Sequence, residues 1–208
     1  MQRIVVFGAS GNVGQHLVRE ALNRTNIVTA FIRDKQKFNV SYPELRLTEG
    51  DVSDAGAVAE AIKGQDAVLA ALGAGLNSNL DIIWLGLENI IKGMQQNGVR
   101  RIISVGSAGV LQADAQTLRR DALGYPTMFK GVSGAHLKAY EALRGSGLDW
   151  TFVCPPNMPE GDSTDNFKVQ ADYLPEGEGR ITTGDVALFM LRELENGQYI
   201  QRRVGLTY

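Results

Sequence analysis

Residues 3–22 read RIVVFGASGNVGQHLVREAL. An apolar run at 4–7 leads into Gly8, Gly11 and Gly14, spaced three apart, and a helix-like pattern opens at about Val13. Each glycine has its own expected task. The chain turns sharply at Gly8, bare backbone faces outward at Gly11, and Gly14 lets the helix pack on the strand. A strand, this loop and a helix N-terminus together present free N–H groups and the positive end of a helix dipole, which suits a pyrophosphate. Ser10 adds a hydroxyl donor, and Asn12 and Val13, where the helix opens, complete the expected cofactor-binding loop. The same glycine spacing occurs in plain turns, but the strand before it and the helix after it favour the phosphate.

Outward from this loop, strand-like runs alternate with helical patterns. Short β-branched runs fall at 4–7, 28–32, 46–48, 67–71, 102–105 and 151–153. Apolar residues at Leu80, Ile83, Trp84, Leu87, Ile90, Ile91 and Met94 repeat at three and four, one face of a helix that Asn97–Gly98 stops. Further helices are expected at 136–146 and 185–195. This alternation implies an α/β, Rossmann-like, doubly wound parallel sheet in one domain over 1–208. Two long stretches, about 109–134 and 157–184, follow strand ends on the side where ligands bind in open α/β sheets, and they are expected to cover the substrate. Within the second, NFKVQADYLPEGEGRIT reads as a short hairpin about 176–179, and Thr183 or Asp185 is expected near the N-cap of the last helix.

Composition narrows the function classes. The 208 residues are 44% hydrophobic and 21% charged, with a net charge of −2, which gives no electrostatic case for a nucleic-acid partner. The single cysteine, Cys154, excludes an internal disulfide and suits a reducing compartment. No apolar run approaches the roughly 20 residues of a membrane span, and no signal-peptide core is visible at the start. The expectation is a cytoplasmic protein with no membrane or nucleic-acid partner and no metal site.

Residues after the next strands sharpen the ligand. FIRDKQKF places Arg33 at the end of the second strand, where a cation suits the 2′-phosphate of NADP and an acidic residue would suit the ribose hydroxyls of NAD. Lys35 and Lys37 add charge, while Asp34 lies one place late and should point away. EGDVSD puts Asp51 and Val52 after the third strand. ALGAG supplies Leu72, Gly73, Ala74 and Gly75 where a cofactor would pass over the sheet.

These glycines resemble the short-chain dehydrogenase/reductase superfamily, especially its extended and atypical branches. In look-alike proteins the pair at Asp51–Val52 flanks the adenine. Carbonyl-reducing members use a serine and a Tyr-x-x-x-Lys on the following helix, the tyrosine acting as proton donor. IISVGSAGV offers Ser107 in the serine's place. The helix offers Tyr140, but Arg144 follows it, and Tyr125 is followed by Phe129. Tyr-x-x-x-Lys is absent, so Tyr140 is expected to pack. An enzyme without that donor suits an acceptor that delocalises charge and takes its proton from water.

The segments VVFGASGNVG, FIRD, GVRRIISVGSAGVL and HLKAYEALRGSGLDWTFVCPPN resemble the small NADPH-dependent flavin reductases also called biliverdin-IXβ reductases. That resemblance covers nearly the whole chain. It implies a monomer that uses NADPH to reduce FMN, FAD, riboflavin or linear tetrapyrroles, with flavin as substrate and not as a prosthetic group. It implies Ser107 as the catalytic serine, Pro155 and Pro156 beside the cofactor, and Asn157 where the family has a histidine. His136 matches the histidine that opens the family's long helix, and Asn157 and His136 are both expected to bind substrate. Tyr125 and Phe129 are expected as an aromatic wall for a flat ring. Loss of the tyrosine also suits a non-catalytic NmrA-like sensor of NADP(H). A sugar-nucleotide epimerase is disfavoured, since those enzymes usually keep the tyrosine and a larger C-terminal substrate domain.

Overall fold

The computed structural model describes residues 1–38, 42–74 and 79–208, the Lys37 side chain excepted. Eight strands among them form one sheet in the order β3-β2-β1-β4-β5-β6-β8-β7. These are β1 (Arg3–Phe7), β2 (Ile27–Ile32), β3 (Leu45–Glu49), β4 (Ala67–Ala70), β5 (Arg101–Val105), β6 (Asp149–Cys154), β7 (Lys168–Ala171) and β8 (Arg202–Thr207). All pairs are parallel except β7–β8. The helices are α1 (Asn12–Asn23), α2 (Ala55–Ile62), α3 (Asp81–Asn97), α4 (Lys130–Arg144) and α5 (Thr183–Asn196).

The period-2 alternation of the strands builds two cores. Ile4 and Val6 on β1 face α1 and α5, while Val5 and Phe7 face α2, α3 and α4. Covering both faces of a parallel sheet explains why these strands read as continuous apolar runs. The strand order reverses at β1, whose neighbours are β2 and β4. The chain leaves that reversal point through Gly8, so a crevice opens above β1 at the carboxyl ends of the strands.

Several boundaries differ from the sequence expectation, each for a tertiary reason. The helix expected at 136–146 starts six residues earlier, at Lys130. α2 was not expected; Asp54 caps it by accepting from the N–H groups of Gly56 and Ala57. Residues 176–179 do not form a hairpin of their own. β7 instead pairs antiparallel with β8, and Glu178 and Arg180 bond through their backbones to Tyr208. The N-cap of α5 is Thr182, whose hydroxyl accepts from the Asp185 N–H at 3.2 Å, so Thr183 and Asp185 lie beside the cap as expected. Gly98 ends α3 in the left-handed conformation, as the Asn97–Gly98 pair predicts.

Candidate functional site

The crevice above β1 is a cleft of about 640 Å³. Its floor is the glycine loop. Gly8 has φ +75°, and a Cβ there would lie 2.3 Å from the Ala71 carbonyl oxygen. A Cβ at Gly14 would lie 2.0 Å from the Gly8 carbonyl oxygen, so α1 meets the loop backbone to backbone. Gly11 is different: a Cβ there would approach only the Gly8 oxygen, at 3.3 Å. Its open side belongs to the cleft, where Ser10, Asn12 and Val13 also lie. No side chain caps α1, and its first turn carries no acidic residue, so its N–H groups and dipole are left for an anion. Asn12 reaches across to Glu160 at 3.4 Å.

The second end of the cleft is formed after β2 and β3. Arg33 is exposed on its wall, and among the described residues no carboxylate lies within ion-pair distance of it. Asp34 turns to cap the short turn at 35–37 by accepting from the Gln36 N–H at 3.0 Å. Asp51 lies opposite. Its Oδ1 accepts from the Ser53 hydroxyl at 2.7 Å and the Ser53 N–H at 2.8 Å, and these bonds, aided by the more distant Arg33, hold its carboxyl below the usual range against the opposing effect of burial. Val52, Leu72, Gly73 and Ala74 also line the cleft. Gly86 of α3 packs against Val52 and Leu72, and Asn89 donates to the Val52 carbonyl at 3.0 Å. The expected contributions of the Lys37 side chain and of Gly75 lie outside the described residues.

The third end follows β4 and β5 and contains Val105, Gly106, His136, Met158 and Thr183. Because α4 begins at Lys130, His136 is neither at the surface nor at a helix end. It is 6% exposed, its ring stands edge-on to Phe152, and burial pushes its pKa down to about 4. Ser107 follows Gly106 directly, half-buried, with its Oγ accepting from the Gly109 N–H at 3.3 Å. Ser107 is beside the cleft, not among its lining residues. Tyr140 packs between Trp150 and Phe152, each ring 5.7 Å away, with Arg203 over its face.

Other expected residues stand elsewhere. The Pro155 carbonyl accepts from the Ala108 N–H at 2.9 Å, tying the β6 exit to the β5 exit, and neither Pro155 nor Pro156 lines the cleft. Asn157 is exposed, and its backbone bridges to Arg180. No residue of 109–134 lines the cleft. The Tyr125 hydroxyl lies against Gly109, where a Cβ would meet it at 2.6 Å, and Phe129, 47% exposed, is the N-cap of α4. The short turn at 127–129 runs straight into that helix, so these rings are not held over the cleft. From 157–184, Met158 and Thr183 do reach it.

That second segment is pinned by a buried carboxylate. Asp185 accepts from the Thr164 N–H (2.9 Å), the Thr164 hydroxyl (2.8 Å), the Asp165 N–H (2.9 Å) and the Tyr208 hydroxyl (2.5 Å). Burial raises its pKa, but these bonds together outweigh that and leave it lowered. Phe31, Ile82 and Met158 are lining residues that the sequence did not single out, and Thr183, expected only as a residue near the helix cap, lines the cleft as well. Asn89 of α3, which the sequence reading passed over, holds the Val52 loop through the Val52 and Ser53 carbonyls.

A phosphate-ready glycine loop at the reversal point, an exposed cation at one end and small residues over β4 define a dinucleotide-binding Rossmann-like protein. The chain belongs to the NAD(P)H-binding family, whose model matches residues 8–197. It is 30% identical over 213 residues to the uncharacterised protein YwnB of Bacillus subtilis, covering 97% of this chain and 96% of that one. A proposed epimerase of Bacteroides thetaiotaomicron superposes with a TM-score of 0.88 at 30% identity, covering 100% of this chain and 97% of that one. A proposed NADH-flavin reductase of Streptococcus pneumoniae superposes at 0.86 and 27% identity, covering 99% of both. The shared frame therefore carries the dinucleotide, and the reaction must be argued from the site.

Proposed function

We propose that this protein is an oxidoreductase that uses NADPH to reduce flat, charge-delocalising acceptors: FMN, FAD, riboflavin or linear tetrapyrroles. One observation carries the reading. The β5 end of the cleft is walled by Val105, Gly106 and a buried His136 that is neutral near pH 7, and among the described residues no tyrosine or lysine lines the cleft. A ketone or alcohol needs a positioned proton donor as charge develops. A flavin spreads that charge over its ring and accepts its proton from water.

The bound cofactor supplies the hydride; the chain supplies placement. Arg33 selects the 2′-phosphate, the α1 N-terminus holds the pyrophosphate, and Asp51 and Val52 flank the adenine. Ser107, next to the cleft, orients the acceptor, and Met158 and Thr183 close the side away from the sheet. Orientation and exclusion of water supply most of the catalysis such a transfer needs. An epimerase is disfavoured by the missing tyrosine.

NADPH oxidation at about 340 nm, an absorbance of the cofactor itself, tests the reading with FMN and a bilin as acceptors and NADH in parallel. Acceptor-dependent oxidation that prefers NADPH supports it. Tight NADPH binding without turnover would replace it with the sensor reading. The apolar run Leu123, Met128 and Phe129, exposed beside α4, is the observation that favours that second reading, as a surface for a protein partner.

A further inference from the structure

His136 is the unexplained group in the cleft. Its Nδ1 is sealed from solvent and has no hydrogen-bond partner. A buried polar atom left unpaired is costly, and an orphaned N–H is rarer in proteins than an under-used lone pair. The neutral ring therefore keeps its lone pair on Nδ1 and its proton on Nε2. Among the described residues Nε2 also has no hydrogen bond, but it is not sealed, and the ring lines the cleft. A single N–H donor thus faces the ligand space.

Its position identifies the ligand atom. Arg33 and Asp51 mark the adenosine end after β2 and β3, and the glycine loop marks the phosphates after β1. From β3 to β5 the strand ends run about 19 Å at roughly 4.8 Å per step, the reach of an extended dinucleotide. What remains for the β5 end is the nicotinamide. The other polar side chain there, Thr183, is already engaged with the Gly161 backbone at 3.3 Å.

We infer that His136, as a neutral Nε2–H donor, holds the carboxamide oxygen of the nicotinamide and so sets the face the ring presents. This assignment rests on the NADP(H) reading above. It makes His136 a cofactor-orienting residue, not the substrate-binding residue that the sequence resemblance suggests.

Calorimetric affinities of NADP⁺ and of 2′-phospho-ADP-ribose, which is the same molecule without the nicotinamide, test it in the wild type, His136→Leu and His136→Gln. One hydrogen bond corresponds to a change of roughly fivefold to tenfold. His136→Leu should weaken NADP⁺ by about that factor and leave 2′-phospho-ADP-ribose within about twofold. His136→Gln, whose amide can donate, should recover most of the loss. Equal weakening of both ligands, or of neither, overturns the assignment. A wild type that binds neither ligand defeats the cofactor reading instead, which is a separate result. Should His136→Leu not fold, ¹⁵N resonances of the wild-type imidazole decide the matter. An Nε2-protonated ring whose Nε2 signal moves with NADP⁺ but not with 2′-phospho-ADP-ribose supports the contact. An Nδ1-protonated ring, or equal movement with both ligands, refutes it.

Discussion

Replacing Gly14 by alanine isolates what the glycine loop does. In a helix, alanine is favoured over glycine by about 1 kcal/mol, so propensity alone predicts a more stable protein. The structure predicts the opposite. The added Cβ would stand 2.0 Å from the Gly8 oxygen, 2.7 Å from the Ala9 Cα and 2.8 Å from the Gly8 carbonyl carbon, where ordinary contact begins at 3.4 Å. All three are backbone atoms, so no rotamer change relieves the clash. Either α1 or the loop must retreat by more than an ångström, and the Gly8 carbonyl that would be pushed accepts the Gly11 N–H at 3.0 Å. Overpacking of this kind costs about 1–3 kcal/mol. In a chain of this size that is a loss of roughly 4–8 °C in Tm for a 2 kcal/mol change. The retreat also withdraws the α1 amides from the phosphates. Each charge-assisted bond lost contributes about 1.5–3 kcal/mol, so NADP⁺ affinity should fall at least about tenfold to a hundredfold. Gly11→Ala is the internal control. Its Cβ meets a single atom at 3.3 Å, so the loss in Tm should be smaller than for Gly14→Ala while affinity still drops, because Gly11 lines the cleft. Thermal unfolding and NADP⁺ titration of both variants provide the measurement. A Gly14→Ala protein as stable and as tightly binding as wild type would refute the packing argument.

Three further outcomes are expected. Arg33→Ala should cut the NADPH-over-NADH preference in kcat/KM by roughly tenfold, leave the NADH value nearly unchanged, and show a smaller effect at high salt because the site is exposed; equal loss for both cofactors would remove Arg33 from selection. Ser107→Ala should lower turnover with FMN several-fold while NADPH affinity stays within about twofold; unchanged turnover would end the role assigned to it. Asp185 has a folded pKa below its unfolded value, so its contribution is present above about pH 4 and is lost as pH falls through the folded value; acid titrations followed by circular dichroism should show Asp185→Asn less stable at pH 7, with the difference narrowing below about pH 4, and a gap that widens there would contradict the sign.

The phosphate loop and the half of the sheet around it were legible because their signals are local. Residues 3–22 carry strand, turn and helix in one uninterrupted pattern, and Arg33, Asp51 and Val52 each follow a readable strand. What escaped depends on distant partners. β8 begins Arg202–Arg203, which reads as surface, yet Arg203 is buried, with Asp172 at 3.1 Å and the Val110 carbonyl taking its charge. The first turns of α4 contain Gly131 and Gly134, which read as loop. In the structure both are helical, and a Cβ on either would crowd a distant side chain, Leu80 at Gly131 and Arg120 at Gly134. The resemblance places His136 at the substrate site, but with the helix expected to start at 136 its burial within α4 was not legible. The aromatic wall expected from Tyr125 and Phe129 failed for the same reason, since the helix takes up the chain before a loop can fold over the site.

The cleft has a seam. Its phosphate and adenosine ends come from residues 7–74, with Ile82 on the seam, and its opposite end from 105–183. The two stretches are far apart in sequence, with α3 between them, but adjacent in the fold, since β4 pairs with β5 and α1 packs on α5. On the reading proposed above, Arg33 in the first stretch sets the choice of NADPH, while Ser107 in the second places the acceptor, so substitutions around Ser107 should change acceptor choice and leave the NADPH preference in place. Under the proposed function, a lineage built on this frame could change its acceptor through the second stretch while Arg33 keeps its cofactor.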